Sequence, residues 1–378
     1  MKPHLRVSSF VGVMLLSSLL VAGACAQQEG MPSAPPPEVP IFGSQLLKIT
    51  SSVVGRDYVL YVNLPRGYQD TGRTFPVIYL TDAQWDFPLA VALFGEQYYD
   101  GFVPAAIIVG ITWGGTDPNY DSLRAIDLTP TGIQQVPHSG NAPKFLAFIK
   151  EELIPFIESK YRAAKNDRTL MGSSLGGLFT LYALFNETQL FHRYVLTSPA
   201  LGWDNGMIYT LEKTYAEKNR RLPARLFMAM GGLEAAVGGG EFQKFIGQLR
   251  SRNYEGLDLE TRVLENTGHS GSKAEGYGRG LQAVFARPSL RLSADLLAQY
   301  VGRYQVAPGF AVEIVREGDG LVLVAPGNAR LPLRAESEEN FYCNGIYLLL
   351  RFKRNEQGKV AGFDIEQYAG QGFAARID

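Results

Sequence analysis

Hydrophobic residues follow two alternating rhythms in the first three quarters of this chain and a single rhythm in the last. Phe75–Leu80 (FPVIYL) and Ala105–Ile111 (AAIIVGI) are short unbroken apolar runs, the pattern of strands covered on both faces. Similar runs recur at Thr169–Gly172, Tyr194–Thr197, Leu226–Met230 and Leu259–Leu264. Between them lie stretches with helical spacing: Gln84–Tyr98, Leu175–Asn186, Glu241–Arg252 and Leu281–Ala286. In Asn141–Tyr161 the residues Phe145, Phe148, Ile149, Leu153, Phe156 and Ile157 share one helical face, and Pro155 is expected to kink it. Leu46–Ser52 and Arg56–Leu64, split by a Val-Val-Gly break, predict a strand pair at the start. Strand and helix in alternation predict a mostly parallel sheet of about eight strands flanked by helices.

Arg287-Pro288-Ser289 ends that pattern. Beyond it, strand candidates follow at near-regular spacing: Tyr300–Val306, Val312–Arg316, Gly320–Ala325, Leu331–Ala335, Tyr347–Phe352 and Val360–Gln367. Gly, Asn and Asp turns separate them, which predicts a small antiparallel β-barrel or sandwich. The sequence therefore divides into an α/β domain over 42–288 and a small β domain over 289–378.

Ahead of both lies an address. Lys2 and Arg6 precede an apolar run from Val11 to Ala22, and Ala24-Cys25-Ala26 supplies small residues around a cleavage point. Residues 1–26 are read as a secretory signal, so the mature protein is expected to be exported, periplasmic or extracellular. Lipidation of Cys25 is the alternative, and it would tie the protein to a membrane. Residues 27–41 form a proline-rich linker, with MPSAPPPEVP at 31–40 read as a stiff, extended spacer.

Composition narrows the function. Lys+Arg is 36 against Asp+Glu 37, a net charge of −1, so nothing offers nucleic acid a basic field. Two cysteines are too few for a disulfide framework, and four histidines leave little for a structural zinc site. Without Cys25 the remaining thiol is Cys343, read as a buried structural residue.

The chemistry centres on Gly172-Ser173-Ser174-Leu175-Gly176, a G-x-S-x-G match that follows one predicted strand and opens a predicted helix. Such a turn is too tight for side chains on its flanks, and it raises the serine hydroxyl at the strand's carboxyl end. Ser174 is the candidate nucleophile, and the Leu175 N–H points to where an oxyanion would form. A second donor is expected from the loop Thr81–Trp85, near Ala83. The base is sought among His138, His192 and His269. His269 lies in a loop after the last parallel strand, where the order Ser, acid, His puts it, and it is preferred. The acid is expected between them: Glu234, after the strand Leu226–Met230, is the first choice and Asp204 the second, with a dyad lacking a fixed acid the remaining alternative. Ser270-Gly271-Ser272-Lys273 matches S-x-x-K but has no K-T-G partner and is set aside.

With these residues in view, the chain resembles an esterase family of α/β-hydrolases that includes esterase D, enterobactin-type siderophore esterases, feruloyl esterases and mycolyltransferases. The likeness runs from about Phe42 to Ala286. It rests on Gly55-Arg56-Asp57-Tyr58, on Pro76 to Leu80 with Asp82, and on Arg124 to Pro130. It continues through Glu151 to Pro155, Tyr161-Arg162, Gly172 to Gly177, Ser198-Pro199 and Gly268-His269. The resemblance implies Ser174 as nucleophile and His269 as base, is looser about the acid, and suggests Arg124 and Trp203 as pocket residues, with a structural ion pair the equal alternative for Arg124. Relatives carry Gly where Ala83 follows Asp82, so its methyl is expected to narrow the oxyanion site. Leu297–Tyr304 (LAQYVGRY) is similar to the start of small β-barrel domains appended to secreted serine hydrolases, read as structural or substrate-covering modules.

Together these readings predict an exported serine esterase acting through an acyl-Ser174 intermediate, with no metal or organic cofactor required. The expected partner is a small-molecule or glycan-linked ester. The same machinery allows acyl transfer to a sugar or lipid, and a non-catalytic binding protein on a hydrolase fold is the rival class.

Overall fold

The unbroken apolar runs become the buried middle of a mixed sheet. The computed structural model describes residues 39–70, 72–238 and 240–378. The expected signal over 1–26, Cys25 and most of the 27–41 linker lie outside the described residues.

In chain order the first domain runs β1 (Ser44–Ser51), β2 (Arg56–Asn63), β3 (Phe75–Leu80), α1 (Ala83–Tyr99), β4 (Ile107–Trp113), α2 (Tyr120–Asp127), α3 (Ala142–Phe148) and α4 (Ile154–Lys160). It continues with β5 (Ala163–Ser173), α5 (Leu175–Asn186), β6 (Arg193–Thr197), α6 (Trp203–Lys218), β7 (Arg221–Gly231), α7 (Gly232–Val237), α8 (Glu241–Arg252), β8 (Glu255–Leu264) and α9 (Ser272–Val284). The sheet order is β1-β2-β4-β3-β5-β6-β7-β8. Strands β1 and β2 are antiparallel to their neighbours, and β4 onward pair in parallel. Helices cover both faces, giving two separate apolar cores, one around Tyr58, Phe148 and Leu178 and one around Ile78, Phe87 and Tyr277.

The kink expected at Pro155 is a change of helical register. Ile149–Leu153 is a π-type turn in which the Ile154 N–H reaches back to Ile149 O. Proline lacks the N–H that a continuous helix would use one residue later, so widening the turn just before it limits the loss.

Several motifs behind the family resemblance are scaffolding. Asp127 is fully buried and accepts hydrogen bonds from Arg56, Tyr58, Trp113 and Asn141. Glu152 ties the β1–β2 turn to the helical layer through Ser51 and Ser52. A buried carboxylate with this many donors is held firmly.

After α10 (Ala294–Ala298) come β9 (Gly302–Ala307), β10 (Phe310–Glu317), β11 (Gly320–Ala325), β12 (Ala329–Ala335), β13 (Asn340–Cys343), β14 (Leu348–Arg354), β15 (Val360–Gln367) and β16 (Gly370–Arg376). Each pairs antiparallel with the next and β16 closes on β9, so the domain is a closed barrel rather than a sandwich. Its interior is filled by side chains, among them Tyr300, Tyr304, Phe341, Phe352 and Phe363 in mutual ring contact. Cys343 is buried in this wall, and burial pushes its thiol pKa up.

The barrel docks on the edge of the sheet where the parallel strands begin. Tyr347 and Tyr368 pack on Tyr98 and Tyr99 at the end of α1. Arg73, just ahead of β3, reaches buried Glu366 at 2.9 Å, and Arg287, just past α9, pairs with Glu336 at 3.3 Å. Helices α1 and α9 both start at the opposite, carboxyl edge and run back to this one. The barrel therefore docks at the edge opposite Ser174, which favours the structural of the two expected roles over the substrate-covering one.

Candidate active site

Ser174 joins β5 to α5 with φ 58° and ψ −116°, a conformation that costs a non-glycine residue about 1–3 kcal/mol. Three backbone bonds hold it there: Ser174 N–H to Thr197 O at 3.0 Å, and to Ser174 O from the N–H groups of Leu178 at 3.0 Å and Ala200 at 3.1 Å. The flanking glycines are sterically required. A Cβ on Gly172 would lie 2.6 Å from the carbonyl carbon and oxygen of Gly176, and one on Gly176 would overlap Thr81 Oγ1.

Leu175 is the first residue of α5 and Ala83 the first of α1. A first-turn N–H has no acceptor within its own helix. These two helices open side by side, because β3 and β5 are adjacent with Leu80 opposite Met171. Two amides with no partner among the described residues and two positive helix ends thus occupy one strip of the carboxyl edge. The Ala83 methyl does not narrow it. Ala83 is fully buried, and a Cβ placed on Gly110 of β4 would come 2.7 Å from the Ala83 Cβ, so the methyl points inward against the sheet. The side chain that projects from this loop is Trp85, 46% exposed and edge-on to Tyr120.

His269 lies in the loop 265–271 after β8. Its Nδ1 is 2.5 Å from Glu234 Oε2, and Glu234 is the third residue of α7, just past β7. The other carboxylate oxygen, Oε1, accepts from the Gly231 N–H at 3.2 Å and from the Ser198 hydroxyl. With Nδ1 facing a carboxylate, the tautomer that places a proton there leaves Nε2 as the accepting nitrogen. Asp204, the second-choice acid, stands in a left-handed kink at the start of α6 and makes no bond to His269. His138 is an exposed loop residue. His192 precedes β6 at the amino edge, and burial lowers its pKa. Ser174 Oγ has no hydrogen-bond partner among the described residues, and the His269 side chain is half exposed. The structure thus joins Glu234 to His269 and sets Ser174 on the same edge, without a Ser174–His269 hydrogen bond. Such bonds are often long before substrate binds.

The two expected pocket residues are both anchored. Arg124 grips Asp82 with two hydrogen bonds, Nε to Oδ1 at 2.9 Å and Nη2 to Oδ2 at 2.8 Å. Burial alone would lower the guanidinium pKa; the bonds and charge of Asp82 outweigh it and hold it above the usual value. Its guanidinium also lies 5.7 Å from the Trp85 ring centre. Trp203 donates its indole N–H to Thr131 O at 3.0 Å, fixing the loop that precedes α3.

Sequence reasoning passed over two serines and a buried ion pair. Ser198 and Ser272 are almost fully buried and touch at 2.8 Å, and Ser272 donates to the His269 carbonyl at 2.7 Å. Lys273, the lysine of the discarded S-x-x-K, is bound to Asp86 at 2.6 Å, and Tyr277 donates to the same carboxylate at 2.7 Å. That cluster fastens α9, which follows the His269 loop, to α1, which follows the Ala83 turn. A groove of about 890 Å³ lined by Tyr68, Phe94, Tyr98 and Tyr368 lies by the barrel and includes none of Ser174, Glu234 or His269.

The fold and this edge define an α/β-hydrolase. The sequence profile of the family described as "Putative esterase" matches residues 51–265, more than half of the chain, and the chain belongs to that family. Residues 286–375 match a family described as a domain of unknown function, DUF3471. Among curated proteins, the chain is 32% identical over 210 residues to the ferri-bacillibactin esterase BesA of Bacillus subtilis, covering 51% of this chain and 71% of that protein. It is 31% identical over 172 residues to a siderophore triacetylfusarinine C esterase of Aspergillus fumigatus, covering 44% of this chain and 59% of that protein. Among solved structures, an IroE-like serine hydrolase from Shewanella oneidensis superposes with a TM-score of 0.57 at 27% identity, covering 64% of this chain and 80% of that one. The BES protein from Bacillus cereus gives 0.59 at 25% identity, covering 67% and 98%. Family membership supports esterase chemistry, and the match ends before the barrel.

Proposed function

We propose that this protein is an exported serine esterase that hydrolyses small siderophore-type esters through an acyl-Ser174 intermediate. One observation carries the reading: the Glu234–His269 pair sits on the sheet edge where Ser174 is held in a strained turn, beside two amides with no partner among the described residues. The named siderophore esterases among the relatives support the substrate class. Export rests on the sequence of residues 1–26.

In this mechanism Ser174 Oγ attacks the ester carbonyl as its proton passes to His269 Nε2. The oxyanion accepts hydrogen bonds from the Leu175 and Ala83 amides. The imidazolium, steadied by ionised Glu234, returns the proton to the departing alkoxide, leaving acyl-Ser174. Water then gives its proton to His269 and its oxygen to the acyl carbon, releasing the acid and restoring the serine. Arg124 holds Asp82 and so the Ala83 turn, while Trp85 and Tyr120 offer an aromatic wall to the acyl group.

Ser174→Ala decides it. With p-nitrophenyl butyrate and with a siderophore ester, the variant is expected to lose on the order of 10⁵-fold in kcat. A fluorophosphonate probe is expected to label wild type and not the variant. Wild-type rates in Ser174→Ala would refute the proposal.

A further inference from the structure

The two halves of the proposed machinery, the Ser174 turn and the Glu234–His269 pair, share no direct hydrogen bond among the described residues. They are nevertheless linked through one loop, 197–200, after β6. Thr197 O accepts from the Ser174 N–H, and the Ala200 N–H donates to Ser174 O. Between them, Ser198 adopts φ 44°, a left-handed conformation, while its N–H donates to Ala229 O at 2.7 Å. Its hydroxyl donates to Glu234 Oε1, the oxygen that does not face His269.

A proton count defines what the serines can do. A hydroxyl carries one hydrogen. Ser272 uses its own on the His269 carbonyl, and Ser198 uses its own on Glu234. Their mutual contact at 2.8 Å then receives a proton only when one of those end bonds is released. Both residues are almost fully buried, at 2% and 0% exposure, which leaves little room for water to make up the difference. The carboxylate, the imidazole loop and the Ser174 turn therefore meet at a junction whose two hydroxyls are buried and share two protons.

We infer that Ser198, braced by Ser272, is a positioning residue that fixes the Glu234 carboxylate and through it the His269 ring relative to Ser174. It touches no reacting atom. The inference rests on the proposed serine-esterase reading. A purely structural account of Ser198 makes a different prediction at the same position. The left-handed φ is cheaper for glycine than for serine, so Ser198→Gly removes the hydroxyl while relaxing the backbone.

Ser198→Gly is expected to melt no lower than wild type, to keep KM for p-nitrophenyl butyrate within about twofold, and to lose kcat by about 10- to 100-fold, the scale of a roughly 1 Å misplacement. Because the effect runs through Glu234, the same substitution in a Glu234→Ala background is expected to cost less than about twofold further in kcat. Unchanged kcat in Ser198→Gly would overturn the inference, as would an equal loss in both backgrounds. Ser174→Ala, run alongside, separates the two claims: if it retains activity the esterase reading fails, and if it alone is inactive only the role of Ser198 fails.

Discussion

Gly172→Ala is a direct test of why the Ser174 turn has its sequence. The added Cβ would come within 2.6 Å of the Gly176 carbonyl group and 2.7 Å of Thr81 Oγ1. Carbon atoms at rest sit about 3.5–4.0 Å apart, so the start of α5 must retreat from β5 by about 1 Å. The nearest obstacle is backbone, which cannot swing aside as a side-chain tip can. Overpacking of this kind costs about 1–3 kcal/mol, and the upper end applies here. At that cost the melting temperature should fall by roughly 5–10 °C. The same retreat carries Ser174 and the Leu175 amide with it, for a loss of about 100-fold in kcat. Gly247→Ala is the control: it lies within α8, and its Cβ would meet nothing within 4 Å. There the change should stabilise by about 0.5–1 kcal/mol and leave kcat alone. Thermal unfolding and p-nitrophenyl butyrate turnover read both variants. A Gly172→Ala protein with wild-type melting and turnover would show that the steric reading of the motif is mistaken.

Two further outcomes concern buried carboxylates. Burial works to raise the Glu366 pKa, but hydrogen bonds from Tyr347 and Arg73 and the charges of Arg73 and Arg351 outweigh it and hold it below its usual value. A depressed carboxyl stabilises the fold above its unfolded pKa, near 4.5, and that contribution is lost as pH falls through the folded value. Glu366→Gln should therefore lower stability at pH 7 by about 1–3 kcal/mol, discounted because Arg73 and Arg351 are partly solvated, and flatten the acid side of the stability profile. Turnover should stay at the wild-type level, since the barrel docks on the far edge; a tenfold loss of kcat would contradict that placement. For Asp86 the balance is reversed: burial raises its carboxyl despite Lys273 and Tyr277. Lys273→Met leaves that charge without its cation, at a cost of about 3 kcal/mol. With the pKa raised further, the loss should grow as pH rises above the unfolded carboxyl value, near 3.8; a pH-independent loss measured by denaturant unfolding would count against the ion pair.

The parts of the fold that were legible in the sequence are those with an unbroken buried run or a clear helical stripe of buried residues. Phe75–Leu80, Gly320–Ala325, Val360–Gln367, Leu175–Asn186 and Glu241–Arg252 match their structural elements end to end. Missed elements lack a clear period. Helix α6 reads MIYTLEKTYAEK after three left-handed residues, and only Ile208 and Glu212 are buried in it. Strand β13 is four residues long, and β16 is GQGFAAR, whose register is fixed by β15 and β9 rather than by its own side chains. In the site, Ser174, His269 and Glu234 could be singled out because a motif or a strand end marked them. Ser198 and Ser272 were also marked by motifs, but their role was not legible, since a serine–carboxylate contact between separate loops exists only once β6, β7 and β8 lie side by side.

That neighbour order also accounts for the layout of the site. Strands β5, β6, β7 and β8 are consecutive both in the sheet and in the sequence, and beyond their carboxyl ends stand Ser174, Ser198, Glu234 and His269 in the same order. Neighbouring strands are about 4.8 Å apart, so the ends of β5 and β8 are about 14 Å apart. A histidine rooted at β8 must lean back over β7 and β6 to reach the serine. In the proposed mechanism the loop 265–271 supplies that reach, and the intervening strands supply its supports: Glu234 from β7 on the ring nitrogen, and Ser198 from β6 on Glu234. An acid placed after β6 would compete for the space that holds the Ser174 turn through Thr197 and Ala200. Placing it after β7 leaves that backbone undisturbed and puts the carboxylate midway along the histidine's reach, which is why Glu234 rather than Asp204 meets the imidazole.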